Sequence, residues 1–278
     1  MAHPAESLVL DALSEYRARI GEANRRAMSI LIPQIEAADM GDPELFESPE
    51  EEEEMRIAFV HHFLGVGSTD PPIKRASDVL DNWDSLVSQL SLDGVTVDPD
   101  PEWRATQHEK YRSAILECLS HLECPTGQWA LPSDFEVLMQ HVDSLDGPGW
   151  YRLRDHGERI VFWPGWGLHG DSHSPGERIQ KKVRTGQAIT DWVRELEEYD
   201  VAGGWECSAH GNESYCYAFY CRPKGDENQG WSWRYAASMG QFGNELFDDL
   251  VAVLKWNTRN VEVTGHDLEI TAEEVFQS

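Results

Sequence analysis

"GGWECSAHGNESYCYAFYC", Gly203 to Cys221, gathers three of the chain's five cysteines and a histidine into one short stretch. Its reading decides between a zinc-stapled fold and a sheet. Cys207, His210, Cys216 and Cys221 are ligand types that zinc takes, here in the spacing C-x2-H-x5-C-x4-C. Tyr215 to Cys221, however, is a run of aromatics, cysteines and alanine, and such a run favours an extended strand. On a strand Tyr215, Tyr217, Phe219 and Cys221 share one face and Cys216 takes the other. Ligands facing opposite ways do not converge on one tetrahedral ion. The intervening HGNES is turn material, so the stretch reads as a β-hairpin whose thiols act as small buried hydrophobes. No cofactor is expected.

Downstream, WSWRYAASM (Trp231 to Met239) is a second strand candidate. A helix is expected over Glu245 to Trp256, with Leu246, Leu250, Val253 and Leu254 inward. Upstream, Ile160 to Trp163 (IVFW), bounded by Gly157 and Pro164-Gly165, reads as a strand. Ile189, Trp192, Val193 and Leu196 share one helical face. Strands and helices mixed in this order indicate an α+β domain, an antiparallel sheet flanked by helices.

Before Glu123 the chain reads as helices and loops alone. Val9, Leu13, Tyr16, Ile20, Ala23, Ala27 and Ile30 form a heptad seam on one long helix that Pro33 is expected to stop. Two alanines weaken that seam, which favours packing on the helix's own domain over a coiled coil. Glu50 to Glu54 place carboxylates at the positive end of a second helix dipole. Leu80, Trp83, Val87 and Leu90 mark another helix, closed at Asp93-Gly94, and Tyr111, Ile115, Cys118, Leu119 and Leu122 one more. The turn-rich VDPDPE, Val97 to Glu102, suggests a boundary. The expected division is a helical N-terminal region over 1–97, an α+β domain over 101–260 and an acidic tail over 261–278.

With 50 acidic against 23 basic side chains, the formal net charge is −27. That field repels phosphate backbones, which argues against nucleic-acid and anionic-membrane partners, and it attracts a basic protein surface. No apolar run approaches the roughly twenty residues needed to span a bilayer. The acidic N-terminus lacks the basic flank and unbroken apolar stretch of a signal peptide. An odd number of cysteines without CxxC fits free thiols in a reducing compartment, so a cytoplasmic location is expected, with the nucleus left open.

Catalytic motifs are scarce. Gly65-Val66-Gly67-Ser68 follows a helix rather than a strand, and is no dinucleotide fingerprint. The chain has no P-loop, no GxSxG elbow and no HExxH. The stretch LHGDSHSPGE, Leu168 to Glu177, alternates His169, Asp171 and His173, residues that bind metals or transfer protons. A polar surface loop accounts for it equally well.

WALPSDFEVLMQHVDSLDGPGW, Trp129 to Trp150, is the most telling segment. Ser133 and Glu136 suit a capping box. Phe135, Leu138, Met139, Val142 and Leu145 run along one face until Asp146-Gly147. A leucine-proline entry, an acidic or aromatic pair, a short Leu-containing helix and a glycine turn resemble the signature of the SUKH superfamily. The later order is similar too: Ile160 to Trp163, Gly203-Gly204-Trp205, Tyr215 to Cys221, and Gln241-Phe242-Gly243 before Glu245. The resemblance covers roughly residues 105–257. It departs in a long insertion at about 165–200 and in the N-terminal hundred residues. It implies an α+β module without a shared catalytic residue set, of the kind that serves bacterial toxin immunity or fungal cell-wall and signalling regulation through protein contacts.

The reading that follows is a non-enzymatic protein-binding module with a basic protein partner. Its contact surface is expected around Trp150, Trp163, Trp166 and Trp205, with Asp146, Asp171 and Glu206 nearby, because aromatics anchor interfaces and acids select basic partners. The rival is a metal-assisted hydrolase centred on His169, Asp171 and His173.

Overall fold

Helix α1 spans Pro4–Ala37 and runs through Pro33, where a stop was expected. A proline removes one ladder donor, yet here buried Leu31, Ile32 and Ile35 flank it and anchor the helix on both sides. The heptad seam holds at Val9, Leu13, Tyr16, Ile20 and Ala27, but Ile30 is 49% exposed and the buried line passes to Met28, Leu31 and Ile35. A 3.6-residue helix drifts about 20° per heptad from a 3.5 repeat, so a fixed seam rotates out of the core.

The fold is that of a computed structural model, which describes residues 4–38, 48–64, 69–145, 182–207, 214–225, 229–239 and 244–264. Two compact units emerge. Among the described residues one holds those within 4–15, 96–145 and 182–257, and the other those within 16–95 and 258–264. The expected strand Ile160 to Trp163 and the turns at Gly65 and Gln241 lie outside the described residues.

The second unit is helical. Helix α2 (Pro49–Leu64) carries Glu50, Glu51 and Glu52 in its first turn, as its charge run predicts. Its buried Arg56 donates to the carbonyls of Ile35 and Ala38, closing the end of α1, and pairs with Glu52 at 2.7 Å. The helix expected around Leu80 to Leu90 breaks into α3 (Asp78–Asp81) and α4 (Trp83–Leu86). Between them the Asn82 side chain donates to Asp78 O at 2.9 Å, a local bond that competes with the helix ladder. Trp83, Leu86 and Val79 fill a core with Met28 and Leu31.

The first unit carries the α+β architecture. β1 (Val95–Thr96) and β2 (Ser144–Leu145) form a short ladder beside α5 (Pro101–Ser120), whose first N–H groups are capped by Asp100. Five antiparallel strands follow in the order β3-β4-β5-β6-β7: Val183–Thr185, Tyr199–Glu206, Ser214–Pro223, Ser232–Met239 and Asn244–Phe247. The opening stretch is the predicted hairpin, with Trp205 opposite Ala218 and Gly204 opposite Phe219. A Cβ on Gly204 would stand 2.1 Å from Ala218 O, so only glycine lets these two backbones approach.

The sheet is covered on both faces. Tyr217, Phe219 and Cys221 pack with Ile189, Val193 and Leu196 on one face. On the other, Trp205 meets Phe135 edge-on at 5.3 Å and Trp233 at 5.2 Å. Cys216 lies with Cys207, whose amide donates to Cys216 O at 2.8 Å, so the alternation of Cys216 and Cys221 is as the strand period requires.

Three local expectations are corrected. Helix α6 (Ser133–His141) ends four residues before Leu145, which joins β2. Its N-cap is Pro132 and the capping box does not form, because Glu136 reaches Arg112 on α5 at 2.8 Å instead. Asp134 then takes the organising role: it accepts from Tyr235 Oη at 2.9 Å and from Leu250 N at 2.8 Å. Glu245 and Leu246 belong to strand β7, and the last of the described helices spans Leu250–Thr264, with Leu250, Val253 and Leu254 buried as predicted.

Candidate functional site

Helix α7 (Gly186–Trp192) and the 3-10 turn Arg194–Glu198 cover the Phe219 face of the sheet. Thr185 Oγ1 caps α7 through Ala188 N at 3.2 Å. Gly186 begins the helix because a Cβ there would stand 1.7 Å from Val201 O. Helical geometry is lost at Val193, with φ −110° and ψ 89°, and the chain turns into the 3-10 segment.

That turn decides which side chains face the sheet. Ile189, Val193 and Leu196 are fully buried, whereas Trp192, expected on the same face, is 64% exposed. The 4-3 spacing of the other three completes the inward face without it. Trp192 is the most exposed of the large apolar side chains among the described residues, and tryptophan is one of the residues enriched at binding hot spots.

Carboxylates surround it in sequence, and two of them, Asp191 and Glu195, are held by side-chain amides. Asp191, Glu195, Glu197 and Glu198 are exposed, and within the stretch 191–198 Arg194 is their one basic neighbour. Gln187 Nε2 donates to Asp191 at 2.7 Å, and Asn244 Nδ2 at the start of β7 donates to Glu195 at 2.7 Å. Lys224, just past β5, donates its backbone N–H to Glu198 O and its Nζ to Glu197 O, both at 2.8 Å. The 3-10 backbone is thereby pinned to the sheet. Beneath it, burial pushes the Cys221 thiol up to about 12, so this sulfur is packing and not a nucleophile.

Of the residues expected at the contact surface, Trp205 is 0% exposed and cannot anchor a partner. It lies inward on β4, where the strand period and the α6 side of the sheet place it. Glu206 is paired with Lys182 at 2.7 Å and is largely covered. Asp146, Trp150, Trp163, Trp166 and Asp171 lie outside the described residues, as do His169, His173 and His210. Among the described residues no group of three or more His, Cys, Asp or Glu side chains is placed to hold a metal ion. No described helix is long and apolar enough to cross a membrane.

Comparison of the chain with family models, with curated proteins and with solved structures gives no match.

Proposed function

We propose that the chain is a non-enzymatic protein-binding module, a regulatory scaffold or immunity-type protein, that takes a basic partner on the acidic surface centred on Trp192. The observation that carries this reading is a 64% exposed tryptophan set among Asp191, Glu195, Glu197 and Glu198 on a rigid turn. The ring supplies apolar area at little entropic cost, and the carboxylates steer a basic surface toward it. The net charge of −27 extends that steering to long range. A SUKH-like assignment fits the same reading: it is supported by the Leu131-Pro132 entry to α6 and by the antiparallel hairpins that precede the closing helix.

A photo-crosslinking amino acid at position 192 of the full chain tests the proposal, with exposed Gly230 as the control position. In extract of the native host, a basic protein should be captured from position 192 alone. Glu195→Lys should reduce that capture, and so should raised salt. Equal adducts from both positions, or none from position 192, would overturn the reading.

A further inference from the structure

The β4–β5 hairpin brings two buried thiols together. Glu206 pairs with Tyr217, and one step further on Cys207 N donates to Cys216 O at 2.8 Å. The two cysteines are therefore direct cross-strand partners in a hydrogen-bonded pair. Such partners have Cα atoms about 5.5 Å apart, close to the commonest separation across a disulfide, and carry their side chains on one face of the sheet. The Cys207 thiol donates to Cys216 O at 3.3 Å, so its sulfur is turned toward the other strand. Both residues are fully buried. Cys216 has Ala218 two positions along the same face and Ala237 opposite it on β6, so small side chains border it on two sides.

The other three cysteines are placed differently. Cys221 points through the opposite face, where it packs with Ile189, Val193 and Leu196. Cys118, on α5, and Cys124, just after it, are partly exposed. In an unfolded chain, loop closure favours the shorter loops, Cys216 to Cys221 and Cys118 to Cys124, over the separation of nine between Cys207 and Cys216. The register of the hairpin reverses that order. Burial, the neighbouring Cys216 thiol and the Glu206 carboxylate all push the Cys207 thiol well above its ordinary pKa. The closed hairpin thus keeps the pair unreactive, and exchange requires this end of it to open.

We propose that Cys207 and Cys216 form a dithiol–disulfide couple that covalently closes the β4–β5 hairpin when the chain meets a small-molecule disulfide such as oxidised glutathione. One cysteine thiolate attacks a glutathione sulfur, breaks its S–S bond and expels one glutathione thiolate. The second cysteine, having given up its proton, attacks the protein sulfur of the mixed disulfide and expels the other glutathione. The protein loses two electrons and two protons, and two glutathione thiols carry them away. This couple is independent of the Trp192 surface.

The test is unfolding of the full chain in urea and refolding in glutathione buffers of graded oxidised-to-reduced ratio. Acid quenching, alkylation and peptide mapping by mass spectrometry then identify each disulfide. Cys207–Cys216 should be the main internal link on refolding, and it should vanish as reduced glutathione is raised. In a parallel sample kept in urea, Cys216–Cys221 should exceed it about twofold, as loop length alone dictates. Cys118→Ser and Cys124→Ser, at partly exposed positions, should leave the refolded pattern unchanged. The mapping itself uses the parent chain, so it stands whether or not a variant folds. A different main disulfide on refolding, the same pattern with and without urea, or no internal disulfide at the most oxidising ratio would each overturn the proposal.

Discussion

Replacing Asp143 with Asn should lower the stability of the α+β unit by about 3 kcal/mol, near the low end of what breaking a buried ion pair costs. The side chain is only 3% exposed and serves Arg104, His108 and the backbone N–H of Asp98 at once. Asparagine keeps the shape but removes the charge that the Arg104 guanidinium and the His108 ring N–H face. Partial exposure of Arg104 keeps the loss from reaching the upper end of the range. A change of this size lowers the melting temperature by roughly 6–12 °C. Burial alone would raise the Asp143 carboxyl, but the bonds from His108, Arg104 and Asp98 N–H outweigh it and hold its pKa below the usual carboxylate value. A depressed folded pKa makes this contribution full above the unfolded value of 3.8, and it is lost as pH falls through the folded one. Urea unfolding of both proteins at pH 7 and at descending pH provides the measurement. A difference under about 0.5 kcal/mol at pH 7, the scale of ordinary surface changes, would refute the argument. So would a gap that widened on acidification.

Gly186→Ala should prevent native packing of α7, because its Cβ would enter Val201 O, while Gly230→Ala, with nothing within 4 Å, should melt like the parent. Trp192→Ala should change stability by less than about 0.5 kcal/mol, whereas Ile189→Ala should lose about 2–5 kcal/mol, both read from urea curves. A thiol reagent should label Cys124 in the native protein and reach Cys207, Cys216 and Cys221 only on unfolding, since the latter three are buried. Mass spectrometry of timed samples checks that order.

The α+β class, the Gly203–Cys221 hairpin and the second strand at Trp231–Met239 were legible because period-2 patterning and turn residues agree there. Helix ends were less so. Pro33 and the Ser133–Glu136 pair carry strong local signals, but α1 is anchored beyond the proline and Glu136 has a tertiary partner in Arg112. Leu246 fits a helical face as well as a strand, and pairing of β7 with β6 decides between them. The candidate site was legible as chemistry and not as position. Acidic and aromatic character is visible in DWVRELEE, Asp191 to Glu198, yet Trp192 faces out only because the helix ends at Val193. Trp205 shows the converse, an aromatic in a turn-like GGW motif that a strand carries into the core.

Asp134 sets a constraint on the order in which the chain can become native. Its two long-range partners, Tyr235 and Leu250, lie 101 and 116 residues further along the chain. The β4–β5–β6 meander needs only short loop closures, so it can assemble while α6 is still unanchored. The Asp134 clasp must wait for the start of the helix Leu250–Thr264, which in synthesis from the N-terminus emerges after the whole meander. Loss of the clasp therefore acts on the rate of escape from the native state more than on the rate of reaching it. One carboxylate on a short helix thus makes the integrity of the whole unit answerable to chain that lies more than a hundred residues downstream.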